Sequence, residues 1–199
     1  MKILEVYDEM LREDILYHGT PHKFLEFTTD NIGGGEGNQA FGWGLYFTDS
    51  KGLAEHYAKV LSNGVGYVYK VKLLRKNFLT WNKKIDNTNQ QRILQGLHSK
   101  GVTQLPIKRM LVNGRIEPLY KSVEDSLEYY PTFKYMYENL CFVLGSEKAS
   151  SEFLYSCGID GVRYAGDSLK NVVSGFSITG FNYVIFSGKS IRVHDIYFI

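Results

Sequence analysis

Apolar residues at Ile3, Leu4, Tyr7, Met10 and Leu11 recur with helical spacing and predict an amphipathic helix over residues 3–13. Ile15-Leu16-Tyr17 then reads as a short strand ending in a turn at His18-Gly19-Thr20. Residues 30–44 (DNIGGGEGNQAFGWG) are dense in glycine and predict a surface loop. Ser50 is placed to cap a helix through about Leu61, with Leu53, Ala54, Tyr57 and Leu61 on one face and Asn63-Gly64 to stop it. The alternation of GYVYKVKLL from Gly66 to Leu74 predicts a strand.

The texture changes over residues 80–155. Polar helical stretches such as Gln90–His98 and Val123–Tyr130 dominate, and Phe153-Leu154 closes a further helix, so this segment reads as a helical insertion between two halves of a sheet. Gly158-Ile159-Asp160-Gly161 turns into a strand at Val162-Arg163-Tyr164. Asn182–Phe186, Ser190–Val193 and Ile196–Ile199 follow as three closely spaced strands. The predicted class is α+β, with strands at both ends and helices mainly between.

Composition narrows the function. The 199 residues predict one domain, 1–199, and 44% hydrophobic content with 15% aromatics excludes a disordered chain. Twenty-three Lys and Arg against 21 Asp and Glu leave +2, too balanced for a purely electrostatic nucleic-acid binder. Cys141 and Cys157 have no CxxC spacing and read as reduced, buried thiols. MKILEVYDEMLREDI carries charges where a signal peptide needs an apolar run, and no stretch approaches a membrane span. The expectation is a chain without membrane contact that works in the cytoplasm, or is delivered into a host cell by a specialised export system.

Several chemistries lack their residues. Gly33-Gly34-Gly35-Glu36-Gly37 is not followed by Lys-Ser/Thr and has neither the strand nor the helix of a dinucleotide fingerprint. His18, His22, His56, His98 and His194 form no HxxxH or Cys/His cluster, so no metal site is expected. No GxSxG elbow occurs.

Three segments remain. In Leu16-Tyr17-His18-Gly19-Thr20, a histidine beside a glycine leaves an imidazole next to accessible backbone, a set that can recognise a planar amide. In Phe41-Gly42-Trp43-Gly44-Leu45-Tyr46-Phe47-Thr48-Asp49, Tyr46 precedes Tyr57 by eleven residues, so a strand tyrosine and a helix tyrosine could sandwich an aromatic ring. In Phe181-Asn182-Tyr183-Val184-Ile185-Phe186, a polar residue opens an apolar strand. Each also has an ordinary structural reading: a satisfied histidine, core aromatics, a solvent-facing amide.

In order, YHGT (17–20), GWGLYFTDSKGLAEHYA (42–58) and NYVIF (182–186) resemble the ADP-ribosyltransferase superfamily, on the side of diphtheria toxin and the poly(ADP-ribose) polymerases. GYVYKVKL (66–73) is similar to the strand after the polymerases' tyrosine helix, and GIDGVRY (158–164) and NYVIFSGKSIRV to segments of small bacterial and phage relatives. The likeness covers about half the residues and leaves the insertion outside. It implies a split antiparallel sheet, NAD as co-substrate, and transfer of a single ADP-ribose to a macromolecule, a protein before a nucleic acid. Such small members act as toxins, effectors or phage counter-defence factors.

The resemblance also implies roles. Gly19 would hold the carboxamide through its backbone. Tyr46 and Tyr57 would stack on nicotinamide, and His18 would bond the adenosine ribose with support from Thr20. Gly44 and Phe47 would line the same site. The family's glutamate falls on Asn182, which can bond a ribose hydroxyl but brings no charge; such a loss costs on the order of 2.7–4 kcal/mol of transition-state stabilisation. Either transfer is slow, the acceptor assists, or another carboxylate serves, with Asp167 first and Asp160 second. Two rivals stand beside the enzyme: a catalytically silent module that binds NAD or ADP-ribose, and a nucleic-acid binder using Lys70, Lys72, Arg75 and Lys76.

Overall fold

The computed structural model describes residues 14–30, 32, 39–61, 64–112, 115–166 and 180–199. The helix expected over 3–13, the glycine run at 33–37 and Asp167 lie outside the described residues.

Seven strands form the main sheet. β1 (Ile15–Thr20) runs through His18-Gly19-Thr20, where a turn was expected, because all six of its residues pair with β3 (Tyr67–Leu73). β2 (Leu45–Thr48) leads into helix α1 (Lys51–Leu61), capped as predicted by Ser50, whose hydroxyl accepts from the Leu53 N–H at 3.3 Å. β4 (Phe78–Thr80), β7 (Gly161–Ala165), β8 (Phe181–Ile185) and β9 (Ile191–Phe198) complete the order β4-β7-β8-β2-β1-β3-β9. Every neighbouring pair is antiparallel except β4 and β7.

That one parallel pair requires a long crossover, and the insertion supplies it. It contains α2 (Asn87–Ser99), α3 (Val123–Tyr129), α4 (Phe133–Leu144) and α5 (Glu147–Ser156), each begun by a side chain that accepts from an amide of the first turn: Asp86, Ser122, Thr132 and Ser146. It is not wholly helical. β5 (Gln104–Val112) and β6 (Arg115–Ser122) pair as a second, two-stranded sheet. Pro106, Pro118 and the charges at 108, 109, 115 and 117 break the alternation that marks strands, whereas the dipeptide Asn113-Gly114 is the hairpin signal the sequence does carry.

The last two expected strands are one. Lys70 pairs with Asp195 and Val71 with Val193, so His194 is an extra residue in a bulge that leaves β9 continuous.

Partners across an antiparallel ladder share a face, so the register sorts the core. One face gathers Leu16, Phe47, Tyr69, Val71 and Ile185, covered by Phe24 and Phe27. On the other, α1 lays Ala54 and Ala58 over Val68 of β3, while the insertion lays Phe133, Met136, Tyr137, Leu140, Phe153 and Leu154 towards Val162, Tyr164 and Val184. Fully burying one such large side chain stabilises by roughly 1.5–3 kcal/mol. Between α1 and the insertion, the floor of this second face is formed by β2 and β8. No described helix is long and apolar enough to cross a membrane.

Candidate functional site

β1 and β2 share a single register pair, Tyr17 with Thr48, whereas β2 and β8 share four. The sheet therefore splits between β1 and β2, the place where its two halves meet. His18 bridges the split: its Nδ1 lies 2.8 Å from the Tyr46 carbonyl. A carbonyl only accepts, so Nδ1 carries the proton. Burial lowers the His18 pKa, against the opposing effect of that bond, which keeps the ring neutral and makes Nε2 an acceptor.

Register then fixes which side chains share a face. Tyr46 faces Val184, Thr48 faces Asn182, and Asn182 faces Tyr164, so Tyr46, Thr48, Asn182 and Tyr164 lie on one face of the sheet. Tyr17 pairs with Thr48, which puts Gly19 on that face too. Gly19 backs directly onto α1: a Cβ there would stand 1.8 Å from the Ala54 carbonyl oxygen. This contact holds Tyr57, three residues further along α1, over the same region. Burial raises the Tyr57 and Tyr164 phenols, and the charges of Tyr46 and Tyr57 raise Tyr164 further.

His18 lies on the opposite face, with its ring centroid 5.2 Å from that of Phe27 and 5.6 Å from that of Phe47. The common cleft expected for His18, Tyr46 and Asn182 thus divides: His18 meets Tyr46 through its backbone, not across the floor. Phe47 is buried in the aromatic cluster behind the sheet, away from the Tyr46 ring. Thr20 closes the end of β1, where its hydroxyl accepts from the His22 N–H at 3.2 Å. Gly44 is buried against Val184 and Ile185 just ahead of β2.

The Tyr46 hydroxyl is committed to the preceding loop. It donates to the Gly42 carbonyl at 2.9 Å and accepts from the Phe41 N–H at 3.3 Å, and burial pushes its pKa up to about 12. It stays protonated and presents a ring, not a base. Asn182 is the unusual member. It is only 3% exposed, and its amide Nδ2 has no hydrogen-bond partner. A buried donor without a partner is costly, and a ligand oxygen would satisfy it.

Asp160, the second carboxylate considered as a substitute for the family glutamate, is taken by structure. One oxygen pairs with Arg75 Nε at 2.9 Å and accepts from Ser190, and the other accepts from the Asn77 N–H at 3.0 Å. Three cations of the basic strip also face carboxylates, Lys70 with Asp195, Arg75 with Asp160 and Lys76 with Asp14. Sequence reasoning passed over two rings that complete the wall: Phe41 stacks on Tyr164 at 3.7 Å with planes 3° apart. Their only sequence signal was membership of the quoted segments; the register supplies the rest. A separate groove of about 300 Å³ lined by Lys84, Gln90, Gln91, Glu124 and Glu128 belongs to the insertion and brings no aromatic ring.

A family model described as ADP-ribosyltransferase in polyvalent proteins matches residues 12–177, which includes β1, β2, α1, the insertion and β7 and stops short of Asn182. No curated protein matches the chain.

Proposed function

The chain belongs to the family of ADP-ribosyltransferases in polyvalent proteins, and on that premise we propose that its cleft binds NAD and transfers one ADP-ribose to a macromolecule. The observation that carries the reading is the unpartnered, buried Asn182 amide on the same face as Tyr46 and beside the split held by His18. A ribose hydroxyl oxygen is the acceptor that amide lacks.

In such a transfer the bond from the nicotinamide nitrogen to the ribose carbon breaks, its electron pair leaving with nicotinamide. An acceptor atom on the target bonds to that carbon and releases its proton to solvent. The residues of this chain bind and orient. The Gly19 backbone would take the carboxamide; Tyr46 and Tyr57 would supply ring faces to nicotinamide; Asn182 would donate to a ribose oxygen; His18, behind the sheet, would act through the Tyr46 backbone that it holds. A protein acceptor is favoured over a nucleic acid because three cations of the strip, Lys70, Arg75 and Lys76, each face a carboxylate. A role as toxin, effector or counter-defence factor accords with this chemistry.

A second reading rests on Asn182 alone: with no charge in the glutamate position, the cleft would hold NAD and release it unchanged. Calorimetric titration tests what both readings share. Wild type should bind NAD, and Tyr46→Ala and Tyr57→Ala should each weaken binding by about twofold to tenfold, the loss of a stacking face worth about 0.5–1.5 kcal/mol beyond its area. Unchanged affinity in both variants would place the pocket elsewhere.

A further inference from the structure

The Gly42–Trp43 peptide unit is gripped at both its polar groups. Its carbonyl accepts from the Tyr46 hydroxyl at 2.9 Å, and its N–H donates to the Tyr137 hydroxyl at 3.1 Å. Tyr46 comes from the sheet; Tyr137 comes from α4 of the insertion, 94 residues further along the chain than Trp43. Gly42 has φ +100°, and a Cβ there would meet the Tyr137 hydroxyl at 2.9 Å, so the loop is shaped to lie against that ring. The phenol oxygen is saturated: it donates to the Glu147 carbonyl at 3.1 Å and accepts from Trp43 and from the Ser151 hydroxyl, 2.8 Å away. Lys148 of α5 adds a cation 5.6 Å from the Trp43 ring. The adjoining residue, Phe41, is the one stacked on Tyr164 at the cleft wall.

We propose that Tyr137 is a positioning residue for co-substrate binding, through which the insertion holds the Phe41–Trp43 loop and hence the Tyr46 and Tyr164 rings in their binding arrangement. The insertion then sets affinity for the nicotinamide end of NAD without contributing an atom to it. The inference rests on the reading of this cleft as the NAD site. Three hydrogen bonds meet at one phenol, two from the insertion and one from the loop, and they give a rigid link, since the buried Trp43 N–H loses the Tyr137 hydroxyl if the link opens.

Tyr130 provides a matched control. It is 2% exposed, as is Tyr137, belongs to the same insertion, and donates to the Pro106 carbonyl at 2.8 Å, away from the loop. Both Tyr137→Phe and Tyr130→Phe should lose thermal stability, Tyr137→Phe more because its hydroxyl carries three bonds against one. Only Tyr137→Phe should weaken binding of NAD and of free nicotinamide, by about fivefold, with KM for NAD rising by the same factor and kcat changing less than twofold. If Tyr137→Phe does not fold, Ser151→Ala slackens the same phenol from its far side and should weaken NAD about twofold to threefold. Wild type that binds NAD together with a folded Tyr137→Phe of equal affinity, or parallel binding losses in both tyrosine variants, would overturn the positioning role alone. Wild type that binds no NAD would overturn the functional reading on which it stands.

Discussion

The imidazole of His18 and the backbone of Tyr46 hold the two halves of the sheet together where the strand ladder stops: Nδ1 donates to the Tyr46 carbonyl over 2.8 Å, one residue beyond the last register pair, Tyr17 with Thr48. A side chain thus replaces a ladder bond, and the separation of β1 from β2 is fixed by an imidazole whose second nitrogen remains an acceptor.

This arrangement predicts a pH dependence. The folded pKa of His18 is depressed below the ordinary 6.5 by burial, so between the two values the unfolded chain binds more protons than the folded one. Stability is therefore complete above 6.5, falls as pH drops through 6.5, and stops falling once the lowered folded value is passed. Thermal melts across that window should show the fall in wild type and a flatter limb in His18→Gln, whose amide can still donate to Tyr46. Identical limbs would contradict a neutral His18.

Gly19 is held to glycine by packing before any ligand is considered. A methyl group 1.8 Å from the Ala54 carbonyl oxygen would force α1 off the sheet, and overpacking of this kind costs typically 1–3 kcal/mol. Gly19→Ala should lower the melting temperature and displace Tyr57 with α1, weakening NAD binding more than the stability loss explains. A variant that melts as wild type would show that the helix yields freely.

Asn182 predicts a conflict between stability and binding. Its partnerless amide is a buried donor, which costs about 1–3 kcal/mol, so Asn182→Leu should raise stability by about 1 kcal/mol while weakening NAD. Asn182→Glu should speed nicotinamide release by at least tenfold, a fraction of the 10²–10³ that such a charge typically contributes. Release unchanged in Asn182→Glu but abolished in Asp167→Asn would assign the working carboxylate to Asp167.

Much of this was legible in the chain, for physical reasons that differ by element. The Ser50 cap, the helix to Leu61 and the Tyr67–Leu73 strand each carry their own periodicity, and YHGT, GWGLYF and NYVIF carry the candidate site through the family resemblance. The β5–β6 hairpin was hidden because prolines and charges disrupt its alternation. Faces were hidden as well: that Asn182 stands with Tyr164 and Tyr46 while His18 and Phe47 stand behind the sheet depends on pairings between strands far apart in sequence. Likewise, no local pattern announces that Tyr137 reaches back to Trp43.

Mass spectrometry after incubating the purified chain with NAD and a cell lysate tests the central claim most directly. The account predicts free nicotinamide together with single ADP-ribose adducts on a macromolecule, both lost in Tyr46→Ala. NAD bound tightly by wild type and recovered intact, with no adduct and no free nicotinamide, would contradict transfer and leave a binding module.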